Sequence, residues 1–252
     1  MISRLDILLE TESRLSFHKG SAFHGALMEL VSGGTCELLH NSAVHPFSQY
    51  LERRSDGWHW VVTALTQELS TEIIHKGLLP CDGIELKKTG IKLSFSTKKL
   101  SDVPMEKISE RMYHGSAPRH IDVEFITPTS FKQEGRYLFY PDIRGMYISL
   151  LNKYGAVETQ QDVRDEDMLK ELVRHTQISK YNLRSVLYFV DSGKVPAFMG
   201  SVGLRLSGPE TLRSFVDFLF HFGEYSGIGI KGGLGMGGMR VVDVDKDEEV
   251  GK

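Results

Sequence analysis

Strand-like and helix-like patterns succeed one another along this chain in the order β-α-β-β-α-β, and that order runs through twice. In the first half, Arg4 to Glu10 with its apolar Leu5-Asp-Ile-Leu-Leu predicts a strand. Ser21 to Val31 predicts a helix closed by Gly33-Gly34, and Thr35 to His40 a second short one. Pro46 to Arg53 reads as extended, and β-branched and aromatic content makes Trp58 to Leu65 a strand. Thr66 to Leu79 is amphipathic, and Gly90 to Ser96 alternates through Ile91, Leu93 and Phe95 with a period of two. Pro104 to His114 predicts a connecting helix and Gly115-Ser-Ala-Pro118 a linker. The second half predicts a strand over His120 to Thr127, an extension near Tyr137 to Tyr140, and helices over Asp142 to Tyr154 and Glu166 to Thr176. A strand pair follows, Leu183 to Val190 and Ala197 to Leu206, joined at Asp191-Ser-Gly193. Pro209 to Phe222 is a helix and Met239 to Val242 the last strand.

Two such units in tandem make an α+β protein of two ferredoxin-like, RRM-like βαββαβ domains. Their expected bounds are 1–115 and 119–242. That fold hosts many unrelated functions, so side chains must carry any functional argument.

Composition narrows the field without choosing within it. The last ten residues, 243–252, set five carboxylates against two lysines and so carry the whole formal charge of −3, an acidic tail on an otherwise neutral chain. Neutral bulk charge neither supports nor excludes RNA binding, because a local basic face suffices. Cys36 and Cys81 lack paired or metal-like spacing, and reduced thiols are expected. No apolar run reaches the ~20 residues that span a bilayer. The start, Met1-Ile-Ser-Arg-Leu-Asp, lacks the character of a signal peptide. A cytoplasmic protein without membrane partners is expected.

Residues 227–238 hold seven glycines, with Lys231 at their centre. Such density costs backbone entropy, and glycine lets amide N–H groups approach a phosphate closely. A phosphate-contacting loop is therefore expected, with a tight irregular turn as the bland alternative. The stretch also spells G-x-G-x-x-G. A dinucleotide site would need a strand before it and a helix after it, and here the order is reversed. No Ser or Thr follows Lys231-Gly232 as a P-loop requires.

Four of the ten histidines, His18, His24, His40 and His45, fall within the first 45 residues. No zinc-like cluster of Cys or carboxylates surrounds His24 or His40, so no metal site is expected. Histidine suits proton transfer near neutral pH. RNA carries its own nucleophile, since a deprotonated 2′-hydroxyl attacks the adjacent phosphate. Taken blind, any one of these histidines has an ordinary surface or packing role.

An ordered set of segments changes that reading. Gly20-Ser-Ala-Phe-His24-Gly25-Ala-Leu-Met28, Leu38-Leu39-His40 and Pro46-Phe47-Ser48 resemble the N-terminal half of the CRISPR-associated repeat-processing endoribonucleases, members of the RAMP superfamily. Phe125-Ile-Thr127-Pro128-Thr129-Ser-Phe131-Lys132, Pro196-Ala-Phe198-Met-Gly200 and Phe222 through Gly237 resemble its C-terminal half. The likeness spans residues 17–242 and is greatest to members serving type III systems. It implies that His40, closing the short second helix, is catalytic. Where some relatives carry a tyrosine partner, this chain has Met28, and His24 one turn earlier can stand in. His45 occupies a place where relatives often carry Lys or Arg.

The resemblance implies a metal-independent endoribonuclease without cofactor. It would cut CRISPR precursor transcripts within their repeats, giving a 2′,3′-cyclic phosphate and a 5′-hydroxyl. The candidate catalytic residues are His40 and His24. The candidate RNA-binding residues are Lys231, Gly229, Gly232, Gly233, Gly235 and His45. CRISPR repeat RNA is the expected partner; a type III effector complex and a second copy of the chain are open ones. Two other readings stay open, a non-catalytic RNA-binding backbone subunit of a CRISPR effector complex and a small-molecule-sensing pair of domains.

Overall fold

The computed structural model describes residues 1–35, 39, 44–114, 117–158, 165–190 and 193–242. β1 (Ile2–Glu10) buries Leu5, Ile7 and Leu9 on one face and turns Arg4, Asp6 and Leu8 to the other. The chain then forms α1 (Gly20–Leu30), β2 (Phe47–Arg53) and β3 (Trp58–Ala64). α2 begins as an α-turn, Gln67–Leu69, capped by the Thr66 hydroxyl, and continues as a π-helix, Ser70–Leu78. β4 (Gly83–Leu86) and β5 (Ile91–Val103) complete an antiparallel sheet of order β2-β3-β1-β5-β4. This is the ferredoxin-like order with β4 added at one edge. Its core packs Phe23 and Leu27 of α1 and Ile73 and Ile74 of α2 against Leu5, Ile7, Trp60 and Val62.

α3 (Met105–His114) crosses to the second unit, where Met105 and Ile108 join that unit's core. β6 (His120–Thr129) is followed by a hairpin of β7 (Phe131–Gln133) and β8 (Arg136–Leu138). Then come α4 (Ile143–Glu158), α5 (Glu166–Arg174), β9 (Thr176–Val190), β10 (Gly193–Leu206), α6 (Glu210–Ser226) and β11 (Met239–Val242). The second sheet has the order β11-β6-β10-β9, again ferredoxin-like. Two tandem ferredoxin-like units are therefore present, as the element order predicts.

Three sequence expectations are corrected. β5 runs to Val103 rather than Ser96, because its polar second half pairs along the whole of β1, from Ser94 opposite Glu10 to Val103 opposite Ile2. β9 starts at Thr176 rather than Leu183, and that residue is a strand residue rather than the end of a helix. Polar Thr176 to Asn182 pairs with β10 in a register no hydrophobic pattern announces. β4 and β7 are too short for periodicity to register, while the extension expected near Tyr137 to Tyr140 is present as β8, Arg136–Leu138. Of the predicted second short helix, residues 36–38 and 40 lie outside the described residues. So do residues 115–116 of the linker, 191–192 of the turn, and the acidic tail 243–252.

The units meet along β2. Ser48 Oγ donates to the Tyr225 carbonyl at 2.7 Å, and Arg4 Nη1 donates to the Glu224 carbonyl at 3.5 Å. Arg240 of β11 bridges Glu52 of β2 and Glu124 of β6. The first sheet thus uses the face away from its helices to hold the second unit. That arrangement places the glycine-rich segment between them.

Candidate active site and RNA cleft

α6 stops at Gly227, whose φ of +68° ends the helix while its N–H reaches Gly223. The following residues zip onto the end of β6. Ile230 N–H donates to Ser130 O at 3.0 Å, Gly237 N–H to Pro128 O at 3.0 Å, and Gly238 N–H to Thr127 Oγ1 at 2.8 Å. Ile228 N–H and Gly237 O close the neck of the loop at 2.8 Å. Beyond the neck, Lys231 adopts a left-handed conformation, φ +59°, and a single 3-10 turn spans Gly232–Leu234.

Several glycines face protein where a side chain would sit. A Cβ on Gly229 would overlap the Ser130 carbonyl oxygen, and one on Gly235 would lie 2.8 Å from the Tyr188 hydroxyl. Gly233 packs against the Phe47 ring. Gln49 ties the arrangement together. Its buried amide nitrogen donates to Gly20 O and Gly233 O, both at 2.9 Å, while its oxygen accepts from Trp60 Nε1 at 2.7 Å. Gln49 escaped sequence reasoning, although a polar residue in the buried phase of β2 was the available signal.

Phe47 is where the predicted residues converge. The His24 ring stacks on it, with centroids 6.0 Å apart and planes 7° from parallel. His45 approaches edge-on at 6.1 Å, and Gly233 lies against the ring. His40 lies outside the described residues. Beside His45 opens a cavity of about 520 Å³ between β2, the β7–β8 hairpin, α4 and the glycine-rich loop. Gly229, Lys231, Gly232 and Gly233 line it, whereas Gly235 packs behind against Gly20. So of the residues expected to bind RNA, His45, Gly229, Lys231, Gly232 and Gly233 share one cavity wall and Gly235 supports it.

Three cavity cations were not anticipated, Lys132 on β7 and Arg144 and Lys153 on α4. Arg144 at the start of α4 pairs with Glu166 through Nη2 at 3.0 Å, while its buried Nη1 has no hydrogen-bond partner among the described residues. Lys153, nine residues further along α4, is buried, and its ammonium donates to Ser226 O at 3.0 Å. A lone lysine inside Leu150-Leu151-Asn152-Lys153-Tyr154 was the overlooked sign. Burial pulls its pKa down from 10.5 to about 7.

That shift has a consequence for stability. Below pH 7 both folded and unfolded chains carry the charge, and the folded state bears the full cost of burying it. Between pH 7 and 10.5 the unfolded chain holds more protons, so this group's destabilising effect fades as pH rises. Lys153→Met is expected to stabilise the protein by about 1–4 kcal/mol at pH 6, with the gain shrinking above pH 7. Thermal unfolding across pH 6 to 10 checks this, and a destabilised variant at pH 6 would contradict it.

Among the described residues, no group of three or more His, Cys, Asp or Glu is arranged to hold a metal ion, and no helix is long and apolar enough to cross a membrane.

Paired ferredoxin-like domains clasping a glycine-rich loop, with histidines beside a cation-lined cleft, define a protein of the tandem ferredoxin-like class. The family model for the CRISPR-associated endoribonuclease Cas6 matches residues 123–239. A CRISPR-associated endoribonuclease Cas6 from Mycobacterium tuberculosis is 33% identical over 246 residues, 95% of this chain and 78% of the relative. One from Streptococcus thermophilus is 32% identical over 219 residues, 87% of this chain and 89% of the relative. The solved structure of a Cas6 product complex superposes with a TM-score of 0.81 at 22% identity, covering 96% of this chain and all of the other. The chain belongs to the CRISPR-associated endoribonuclease Cas6 family.

Proposed function

We propose that this protein cuts CRISPR precursor transcripts within their repeats, using histidines and the RNA's own 2′-hydroxyl and no metal ion. The observation that carries the reading is the convergence of His24 and His45 on Phe47, at the mouth of a cavity walled by Lys231 and the glycine-rich loop. Phosphate contacts there would position a strand without reading its bases. His40, on the segment between α1 and β2, is assigned one of the two proton transfers, and His24 the other or the orientation of the phosphate. A base removes the 2′-hydroxyl proton, the oxygen attacks phosphorus, and an acid protonates the departing 5′-oxygen. The products are a 2′,3′-cyclic phosphate and a 5′-hydroxyl. The cytoplasm, where its substrate is transcribed, is the compartment this reading requires. A type III effector complex is the proposed recipient of the product.

Incubation with a labelled repeat RNA in excess chelator tests the mechanism. Cleavage is expected to persist, and to stop when a 2′-deoxy sugar stands 5′ of the cut. Strict dependence on added magnesium or manganese, or cutting of the deoxy substrate, would overturn it.

Lys231 separates binding from chemistry. Lys231→Ala is expected to weaken binding to all repeat variants by a similar factor. The slope of log affinity against log salt should become shallower by ~0.7 for one lost contact with single-stranded RNA. An unchanged slope in a stably folded variant would move the RNA path away from this loop.

A further inference from the structure

The cavity beside His45 is larger than a phosphate needs and is not lined like a simple anion hole. At about 520 Å³ it falls in the range that encloses a small organic ligand. One side is apolar, formed by Ile148 of α4 and Ile230 of the loop, while Asn152 contributes a polar group to the same wall. Lys132, Arg144, Lys153 and Lys231 supply cations, and Glu134 and Asp142 also line the cavity.

Among the described residues Lys153 has no counter-charge, and Arg144 uses only part of its guanidinium on Glu166. The Lys153 ammonium has three donors, and among the described residues its one hydrogen bond goes to Ser226 O. A buried charge without an anion is costly, and a fold retains it where something supplies the counter-charge. Arg144 Nη1 is a second buried donor left unused. A basic end joined to an apolar wall with a polar edge matches the chemistry of a nucleotide.

We propose that this cavity seats one unstacked nucleotide of the bound RNA, its phosphate drawn to Lys153 and Arg144 and its base laid against Ile148 and Ile230. The assignment rests on the RNA-cleaving reading above and adds a point of specificity to it. RNA is recognised by proteins mainly where unstacked bases can be splayed out and met by side chains. The Lys153 ammonium therefore acts as a binding group, whose cost to stability is offset when the RNA arrives.

Single abasic substitutions placed along an uncleavable 2′-deoxy repeat RNA test this by direct binding. The wild-type protein should show one position where loss of the base weakens binding by about tenfold. Asn152→Trp, which fills the cavity, should bind intact RNA more weakly by a similar factor and lose that positional penalty. A methylphosphonate at the same nucleotide should weaken binding to wild type, and weaken binding to Lys153→Met by a smaller factor, because only Arg144 still meets the phosphate there; an equal loss in both proteins would remove Lys153 from the site. If Asn152→Trp does not fold, the methylphosphonate comparison with the isosteric Lys153→Met decides alone. A flat abasic profile in the wild type, or a penalty retained in Asn152→Trp, overturns the nucleotide site. Failure of the wild type to bind repeat RNA at all overturns the RNA reading itself, so the two outcomes are distinct.

Discussion

His40→Ala is expected to slow cleavage of repeat RNA by ~10²–10⁴-fold, the effect of removing one general acid or base. RNA affinity should change little. A neutral imidazole contributes little attraction for phosphates, and the proposed phosphate contacts lie on Lys231, Arg144 and Lys153 around the cavity. The assignment of His40 rests on the family resemblance of Leu38-Leu39-His40. The structure adds that Leu39, its immediate neighbour, is buried in the first domain's core. His24→Ala should lose an equal or smaller factor, because its ring stacks on Phe47 beside His45 and can orient the phosphate or move the second proton. Single-turnover cleavage with parallel binding measurements separates rate from affinity. A folded His40→Ala protein that cleaves near the wild-type rate would show that the proton transfers belong to other residues.

The second large effect falls on stability rather than chemistry. Gly229 has a φ of +77°, and a Cβ there would clash with the Ser130 carbonyl oxygen. That oxygen cannot retreat, because it accepts from the Ile230 N–H at 3.0 Å, while Gly229 N–H is itself held by Ser149 Oγ at 2.7 Å. Gly229→Ala must therefore adopt an unfavourable backbone conformation and break the pairing of the loop with β6. About 3–5 kcal/mol should be lost, lowering the midpoint of thermal unfolding by roughly 10 °C. Differential scanning calorimetry on the free protein reads this directly. An unchanged midpoint together with weakened RNA binding would mean that the glycine serves the ligand and not the fold.

That expectation refines what glycine density means. The sequence sets two explanations side by side, close phosphate approach and tight chain packing. The structure divides them by position. Gly229, Gly235 and Gly237 have positive φ and meet protein atoms, so the fold itself demands them. A Cβ on Gly232 would meet nothing nearer than Lys153 Nζ at 3.7 Å, and this residue lines the cavity. Within the loop, freedom to approach a ligand is concentrated at Gly232, since Gly233 is already packed against the Phe47 ring.

The sequence by itself determined the architecture, because the two βαββαβ orders are written in local periodicities that each segment satisfies alone. α1, β3 and β11 fall within a residue of their predicted bounds, since helix-favouring and β-branched runs act over a few neighbouring residues; α1 ends at an extended Val31, and Gly33-Gly34, expected to close it, are themselves helical. It also supplied the family, through short segments whose order is specific even where each is loose. Tertiary structure alone decided how far β5 and β9 extend, because polar strand residues are held by partners distant in the chain. It alone brought His24, His45 and Gly233 onto one aromatic ring, and Gln49 under the loop across 184 residues. Lys153 and Arg144 became a site only when α4 was laid against the glycine-rich loop. A buried charge or an unused donor is a property of surroundings, and those are assembled by contacts between segments that share no local pattern.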